Sequence, residues 1–104
     1  MFVTTFVATM QFEWDEEKDR ANRAKHGIGF DEASELFSGD YVLIPARAGP
    51  GGEARWIAVG PLGGRPVIAI VHTDRSGRIR IISARPARRE ERRRFHGTYR
   101  TRET

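Results

Sequence analysis

The sequence predicts an α+β domain in which helices pack on one face of a mostly antiparallel sheet, in the order β-α-α-β-β-β-β-α. Three observations predict this class. Helix capping and spacing signals are confined to residues 15–39 and 86–95, and strand-sized apolar segments separated by turn residues fill residues 41–84. The chain has 104 residues, which is enough for one core.

The first part of the chain predicts a short strand, residues 11–14, followed by two helices. Asp15 is a favourable N-cap for the first helix, which ends at His26 with Gly27 in the left-handed position that closes many helices. Asp31 is expected to cap a second, shorter helix. The apolar face of that helix is formed by Ala33, Leu36 and Phe37.

Four further strands and a closing helix are predicted after residue 40. A loop rich in glycine and proline, residues 46–53, separates the first two strands, and turns at Gly63 and Gly77 join the last three. The apolar run at residues 67–71 indicates a central strand that is buried on both faces. Pro86 suits the first position of the closing helix. The strands are predicted at residues 41–44, 55–59, 66–73 and 78–84, and the helix at residues 87–95.

Composition excludes several classes of function. Without cysteine, the chain has no disulfide, thiolate zinc site or cysteine nucleophile. It contains no apolar segment of the ~20 residues that a membrane helix needs, and its first ten residues do not resemble a secretory signal. Phosphate-loop, dinucleotide and zinc-protease motifs are absent, and the three histidines are isolated. We therefore expect a cytoplasmic protein without a metal or cofactor. One domain is expected at residues 10–96, between a flexible extension at residues 1–9 and a polar tail at residues 97–104.

The net charge of +4 is distributed unevenly along the chain. Residues 1–52 contain five basic and nine acidic residues, whereas residues 53–104 contain thirteen basic residues, all arginine, and five acidic ones. A genome rich in G and C would explain the preference for arginine over lysine, but it would not explain why the arginines are concentrated in one half. The asymmetry favours a polyanionic partner, because one guanidinium group can donate two parallel hydrogen bonds to a phosphate.

Arginines gather on the last strand and the closing helix. Arg80 lies on a strand face, Arg85 follows at the end of that strand, and further arginines occupy residues 88–94. Cleavage of RNA without a metal requires activation of the ribose 2′-OH, stabilisation of charge at phosphorus, and a proton for the leaving 5′-oxygen. Arginine can stabilise the charge, and other side chains must transfer the protons. The available proton-transfer groups are Lys25, His26, Glu53 and His72.

Each of these patterns also has a purely structural interpretation. The Lys25-His26 pair can complement the negative end of the first helix. His72 can be a packed residue at a strand end, and Glu53 can pair with Arg55. The arginines of the closing helix can form a solvated face.

Residues 12–37 resemble the opening of the BrnT toxins. The second half is similar to the same family at residues 55–60, 67–73 and 78–95, so the resemblance covers residues 10–99. Phe95 stands where the family often has tyrosine, and the loop at residues 46–52 is longer than usual. The matching positions of the opening are Trp14, Asp15, Lys18, Asn22, Lys25, His26, Gly27 and Phe30.

The resemblance implies a RelE-like fold and a metal-independent ribonuclease that inhibits translation as the toxin of a type II toxin–antitoxin pair. It also implies neutralisation by a BrnA antitoxin, a DNA-binding protein that represses the shared operon together with the toxin, in a toxin–antitoxin hetero-oligomer. Carried onto matching positions, it implies an RNA site of Lys25, His26, Arg80, Ser83, Arg85, Arg89 and Arg92.

The predicted site rests both on the arginine pattern and on the family resemblance. The expected partners of the protein are RNA and the antitoxin, and binding to a membrane is not expected. Two alternatives stay open: a non-catalytic nucleic-acid-binding or antitoxin-binding module, such as a degenerate toxin kept for operon control, and a protein-binding role in which the basic surface binds an acidic segment. The predicted catalytic groups are Lys25, His26, Arg80, Arg85 and Glu53, and the predicted RNA contacts are Arg65, Arg78, Ser83, Arg88, Arg89 and Arg92.

Overall fold

The computed structural model describes residues 2–7 and 10–99, which form a mixed α+β fold around one six-stranded sheet. No helix within these residues is long and apolar enough to cross a membrane. The strands are β1 (Phe2–Val7), β2 (Met10–Asp15), β3 (Val42–Pro45), β4 (Trp56–Leu62), β5 (Arg65–Arg75) and β6 (Arg78–Pro86). The helices are α1 (Glu16–His26), α2 (Phe30–Ser34) and α3 (Arg89–Tyr99), with short 3-10 turns at Glu35–Ser38 and Pro50–Gly52.

The sheet has the strand order β1-β2-β6-β5-β4-β3. Neighbouring strands are antiparallel except for β2 and β6, which pair in parallel over two positions, Phe12 with Ile79 and Glu13 with Arg80. The mostly antiparallel sheet is therefore confirmed. The predicted turn between β5 and β6 is also confirmed, because Ser76 and Gly77 both have positive φ, as a tight two-residue hairpin requires.

The two faces of the sheet carry separate apolar clusters. Ile68 and Ile70 pack with residues of α2 and of the 3-10 turn that follows it, whereas their neighbours Val67 and Ala69 pack with Phe95 of α3. Because side chains alternate along a strand, α3 must cover the face opposite to α2. The expectation that all helices share one face is therefore wrong. The double burial predicted for the central strand already required cover on both sides.

The helix caps follow the sequence signals in α1 but not in α2. The Asp15 carboxylate accepts hydrogen bonds from the backbone of Glu17 and Lys18, and Gly27 closes α1 in the left-handed conformation. In α2 the N-cap is Gly29 rather than Asp31. The first backbone N–H of α2 has its acceptor in α1 instead, because the N–H of Phe30 donates to Asp19 at 2.8 Å.

Both ends of the described chain contain more structure than the sequence analysis assigns. Residues 2–7, expected within a flexible extension, form β1 and pair with β2, and Val3 packs against the core. Helix α3 begins at Arg89 rather than residue 87, and it continues to Tyr99, whose hydroxyl donates to the carbonyl of Tyr41 at 3.0 Å. Residues 1, 8, 9 and 100–104, which complete the expected extension and tail, lie outside the described residues.

Candidate active site

Helix α1 is fixed along the edge of β6 by one side chain. Strand β2 pairs with β6 only as far as Arg80, because the chain then turns into α1. Beyond that point the Asn22 amide takes the place of a neighbouring strand: its Nδ2 donates to the carbonyl of Ala84 at 2.8 Å, and the Ala84 N–H donates back to its Oδ1 at 3.1 Å. Asn22 is 7% exposed, and its Nδ2 also donates to the carbonyl of Ile28 at 2.9 Å. This network sets the distance between α1 and β6.

Two adjoining hollows lie beside β6, the first against α1 and the second toward the loop before β4 and the end of β5, and together we call them the α1–β6 groove. Their volumes are about 330 and 220 Å³, and they share Lys18 and Ile82. The first hollow is lined, besides these two, by Ala21, Asn22, Lys25, His26, Ser83 and Arg85. The second is lined, besides these two, by Pro50, Glu53, Arg55, Arg75 and Arg80.

Arg80 is held in the second hollow by a buried carboxylate. Its Nη1 donates to Glu13 at 2.6 Å, and the two side chains are 15% and 9% exposed. Arg78, which is half-exposed, reaches the same carboxylate at 3.4 Å. The ring of Phe2 covers the guanidinium, with 4.0 Å between Arg80 Cζ and the ring centre. Arg80 is therefore fixed in orientation, and it shares the carboxylate of Glu13 with Arg78.

Arg85 is held in the first hollow in the same manner. It forms a two-point ion pair with Glu91, at 2.8 and 2.9 Å, and these side chains are 15% and 10% exposed. Glu91 also accepts the backbone N–H of Arg88 at 2.7 Å, which caps the start of α3. The hydrogen bonds from Arg85 are the main reason that the pKa of Glu91 lies below its usual value. Glu91 therefore orients Arg85 as an ionised carboxylate.

Glu53 is engaged by two arginines. It accepts from Arg75 at 2.9 Å and from Arg55 at 3.3 Å. The hydrogen bond from Arg75, followed by that from Arg55, lowers the pKa of Glu53. The interpretation of Glu53 as the partner of Arg55 is confirmed, and a carboxylate with a lowered pKa is a weak base.

The last turn of α1 carries two polar groups that face the first hollow. Lys25 is exposed and His26 is half-buried, and within the described chain neither side chain has an ion pair or hydrogen bond. Their place before Gly27 confirms the capping interpretation and leaves both groups available to a ligand. His72 has a different environment: it is buried against Phe37, and burial lowers its pKa to about 4. The interpretation of His72 as a packed histidine is confirmed.

Several predicted RNA contacts do not line either hollow. Arg65 donates to Glu32 at 2.7 and 2.9 Å and to the carbonyl of Gly27 at 2.8 Å, so it braces the connection between α1 and α2. Arg88, Arg89 and Arg92 are exposed at the start of α3, and Arg92 donates to the carbonyl of Ala87. The structure thus brings together Lys25, His26, Ser83 and Arg85 in one hollow, and Glu53 and Arg80 in the next.

Two residues of the α1 wall, Lys18 and Asn22, were not predicted from the sequence as site residues. Lys18, Asn22 and Lys25 are spaced i, i+4 and i+7, which places them on one face of α1, so this part of the groove was readable from spacing. Arg55 and Arg75 were not predicted as site residues, because their approach depends on the pairing of β4 with β5. Within residues 2–7 and 10–99, no three His, Asp or Glu side chains cluster as ligands of a metal would.

The groove can bind and polarise an anionic group. Cations reach it from α1, from β6 and from the loop–strand junction near Glu53, and they surround a site the size of one or two nucleotides. Fixed guanidinium groups stabilise charge that develops at phosphorus, and histidine is the side chain whose charge changes most readily near neutral pH.

Comparisons with known proteins point to one family. Residues 14–91 match the family model described as "Ribonuclease toxin, BrnT, of type II toxin-antitoxin system". The crystal structure of the Brucella abortus ribonuclease toxin, BrnT, is similar, with a TM-score of 0.58 and 29% sequence identity over 73% of this chain and 94% of that one. No curated protein sequence matches the chain. The resemblance identified from the residues is confirmed, and the chain belongs to the BrnT family of ribonuclease toxins of type II toxin–antitoxin systems.

Proposed function

We propose that this toxin is a metal-independent endoribonuclease and that the α1–β6 groove is its active site. One observation carries the proposal: the unpartnered side chains of Lys25 and His26 share a hollow with Arg85, and Arg80 lies in the adjoining hollow. A phosphate between these groups would meet fixed positive charge on one side and proton-transfer groups on the other.

The proposed reaction is attack of the ribose 2′-oxygen on the adjacent phosphorus. The P–O bond to the 5′-oxygen breaks, which leaves a 2′,3′-cyclic phosphate and a 5′-hydroxyl. One group takes the 2′-OH proton and another gives a proton to the 5′-oxygen, and Lys25 and His26 are the candidates. Arg80 and Arg85 retain N–H donors beyond those used by Glu13 and Glu91, because a guanidinium has five. These remaining donors would stabilise the charge on phosphorus.

The test is single-turnover cleavage of an RNA oligonucleotide in EDTA, with analysis of the product ends. We expect wild type to give a 2′,3′-cyclic phosphate, and Arg80→Ala/Arg85→Ala to lose about 100-fold or more in rate, since one such donor is commonly worth that factor. Arg20→Ala, which removes an exposed cation from α1 outside the groove, is the matched control. Thermal unfolding confirms that each variant is folded. Unchanged cleavage by a folded double variant would remove these arginines from the site.

We propose that, in the cell, the toxin acts in the cytoplasm and arrests translation by degrading RNA. We also propose that the arrangement of its helices and sheet is RelE-like. A BrnA-type antitoxin encoded beside it would bind it as a hetero-oligomer and repress the shared operon. Induction with and without the adjacent gene tests this, with growth, RNA integrity and amino-acid incorporation as measurements. Growth arrest without loss of RNA or translation would contradict it.

One observation favours a second candidate, a non-catalytic nucleic-acid-binding or antitoxin-binding module. The side chains of Arg80 and Arg85 are each 15% exposed and paired with a buried carboxylate, which suits a structural role as well as a catalytic one. Binding of the RNA oligonucleotide without any product would support this module.

A further inference from the structure

The cations of the α1–β6 groove differ in how far their charge is already balanced. Arg80 and Arg85 each face one buried carboxylate, and Arg55 and Arg75 share Glu53. Lys18 and Lys25, in contrast, are exposed, and neither ammonium makes an ion pair or hydrogen bond with any residue in the described chain. The charge of Lys18 is therefore available to a ligand without breaking an internal contact.

The position of Lys18 distinguishes it from Lys25. Lys18 and Ile82 are the residues that both hollows have in common, so they form the boundary between them. Lys18 lies one helical turn before Asn22, whose hydrogen bonds to Ala84 fix α1 against β6. The backbone of Lys18 is therefore fixed beside β6, and its side chain lines the boundary.

A β-bulge in β6 allows two consecutive residues, Ile82 and Ser83, to line the groove. Val71 pairs with Ser83 and His72 pairs with Ile81, which leaves Ile82 as the extra residue on β6. The half-buried side chain of Ile82 therefore lies in the groove, as a small apolar surface among cations. A ribose or base edge next to a phosphate would fit such a surface.

We propose that Lys18 is a substrate-binding residue that contacts the scissile phosphate at the boundary of the two hollows, with one nucleotide lying in each hollow and Ile82 packing against a sugar. The inference rests on the proposed function and names the place of the phosphate within that site. Arg80 lines one of the two hollows, and Arg85 and His26 line the other, so the boundary lies between these groups.

Binding is measured by fluorescence anisotropy over a range of KCl concentrations. The probe is a 2′-O-methyl RNA oligonucleotide, which is not cleaved because it has no free 2′-OH to act as the nucleophile. For a single strand, each neutralised phosphate contributes about 0.7 to the slope of log affinity against log salt. We expect Lys18→Ala to reduce the slope by about 0.7 and to weaken binding about tenfold, which is the usual effect of one charged hydrogen bond. Lys18→Arg should restore most of both.

Arg20→Ala is again the matched control, because Arg20 is an exposed cation two residues further along α1 that lines a different hollow. An equal loss of slope in Lys18→Ala and Arg20→Ala would show an effect of general charge only and would overturn the proposal. The rate at saturating protein separates the scissile phosphate from a flanking one: we expect Lys18→Ala to lower this rate, and an unchanged rate would refute the assignment. If wild type binds the oligonucleotide but cleaves no RNA, the proposed function fails, whereas the salt slopes still test whether Lys18 binds phosphate.

Discussion

Replacement of Asn22 by alanine should destabilise this fold strongly. It removes three hydrogen bonds, one to Ile28 and two to Ala84, and leaves the N–H and carbonyl of Ala84 without a partner at the β6 edge. A net contribution of about 1 kcal/mol per hydrogen bond, with a further cost for buried groups left unpaired, gives a loss of about 3–5 kcal/mol. For a domain of this size, that corresponds to a melting temperature lower by roughly 15–25 °C.

The loss should be measured by urea unfolding and by thermal unfolding, with Arg20→Ala as a control on the same helix. Because Asn22 also holds α1 beside β6, we expect Asn22→Ala to lower RNA cleavage at temperatures where the protein is still folded. Asn22→Asp should be at least as destabilising, since its carboxylate would face the two carbonyls that Nδ2 now satisfies. A loss below about 1 kcal/mol for Asn22→Ala, or unchanged cleavage, would refute the view that this amide closes the sheet edge and positions the groove.

Three further outcomes are expected. Burial lowers the pKa of His72 to about 4, so protonation favours the unfolded state. The free energy of unfolding, measured with urea, should therefore fall by about 2 kcal/mol from pH 7 to pH 5, and His72→Leu should show a smaller fall. Glu91→Ala should cost about 3 kcal/mol of stability and lower RNA cleavage, because Arg85 loses its two hydrogen bonds to Glu91 and the backbone N–H of Arg88 loses its acceptor. Glu91→Gln should keep the hydrogen bond from Arg88 and lose less stability, and equal losses in the two variants would contradict this order. Arg65→Ala should lower the melting temperature and leave RNA affinity and cleavage unchanged, because Arg65 binds Glu32; weakened RNA binding in the folded variant would return Arg65 to the site.

The elements that the sequence predicted well are those specified by local chemistry. Asp15 and Gly27 mark the ends of α1 through contacts within a few residues, and the turn at Ser76 and Gly77 follows from their own backbone preferences. The face covered by α3 could not be predicted in this way. It depends on which side of the sheet Val67 and Ala69 present, and that is settled only when the strands are assembled.

The candidate site was predictable in part for the same reason. Lys25 and His26 follow each other in sequence and do share a hollow with Arg85. The ion pairs that decide how free each arginine is join distant residues: Glu13 and Arg80 are 67 positions apart, and Glu32 and Arg65 are 33 apart. Counting arginines therefore predicted the basic surface, and only the contacts distinguish a groove residue such as Arg80 from a brace such as Arg65.

The pairing of Glu13 with Arg80, and of Glu32 with Arg65, gives the uneven charge of the chain a second meaning. Each pair joins a carboxylate of the acidic half to an arginine of the basic half, so part of the imbalance is complementary within the folded molecule. A neutral residue at position 13 would then have two opposed effects: it would uncover a cation for indiscriminate attraction to nucleic acid, and it would loosen the parallel seam between β2 and β6. Selection on this carboxylate would therefore balance the strength of nucleic-acid binding against the stability of the β2–β6 pairing.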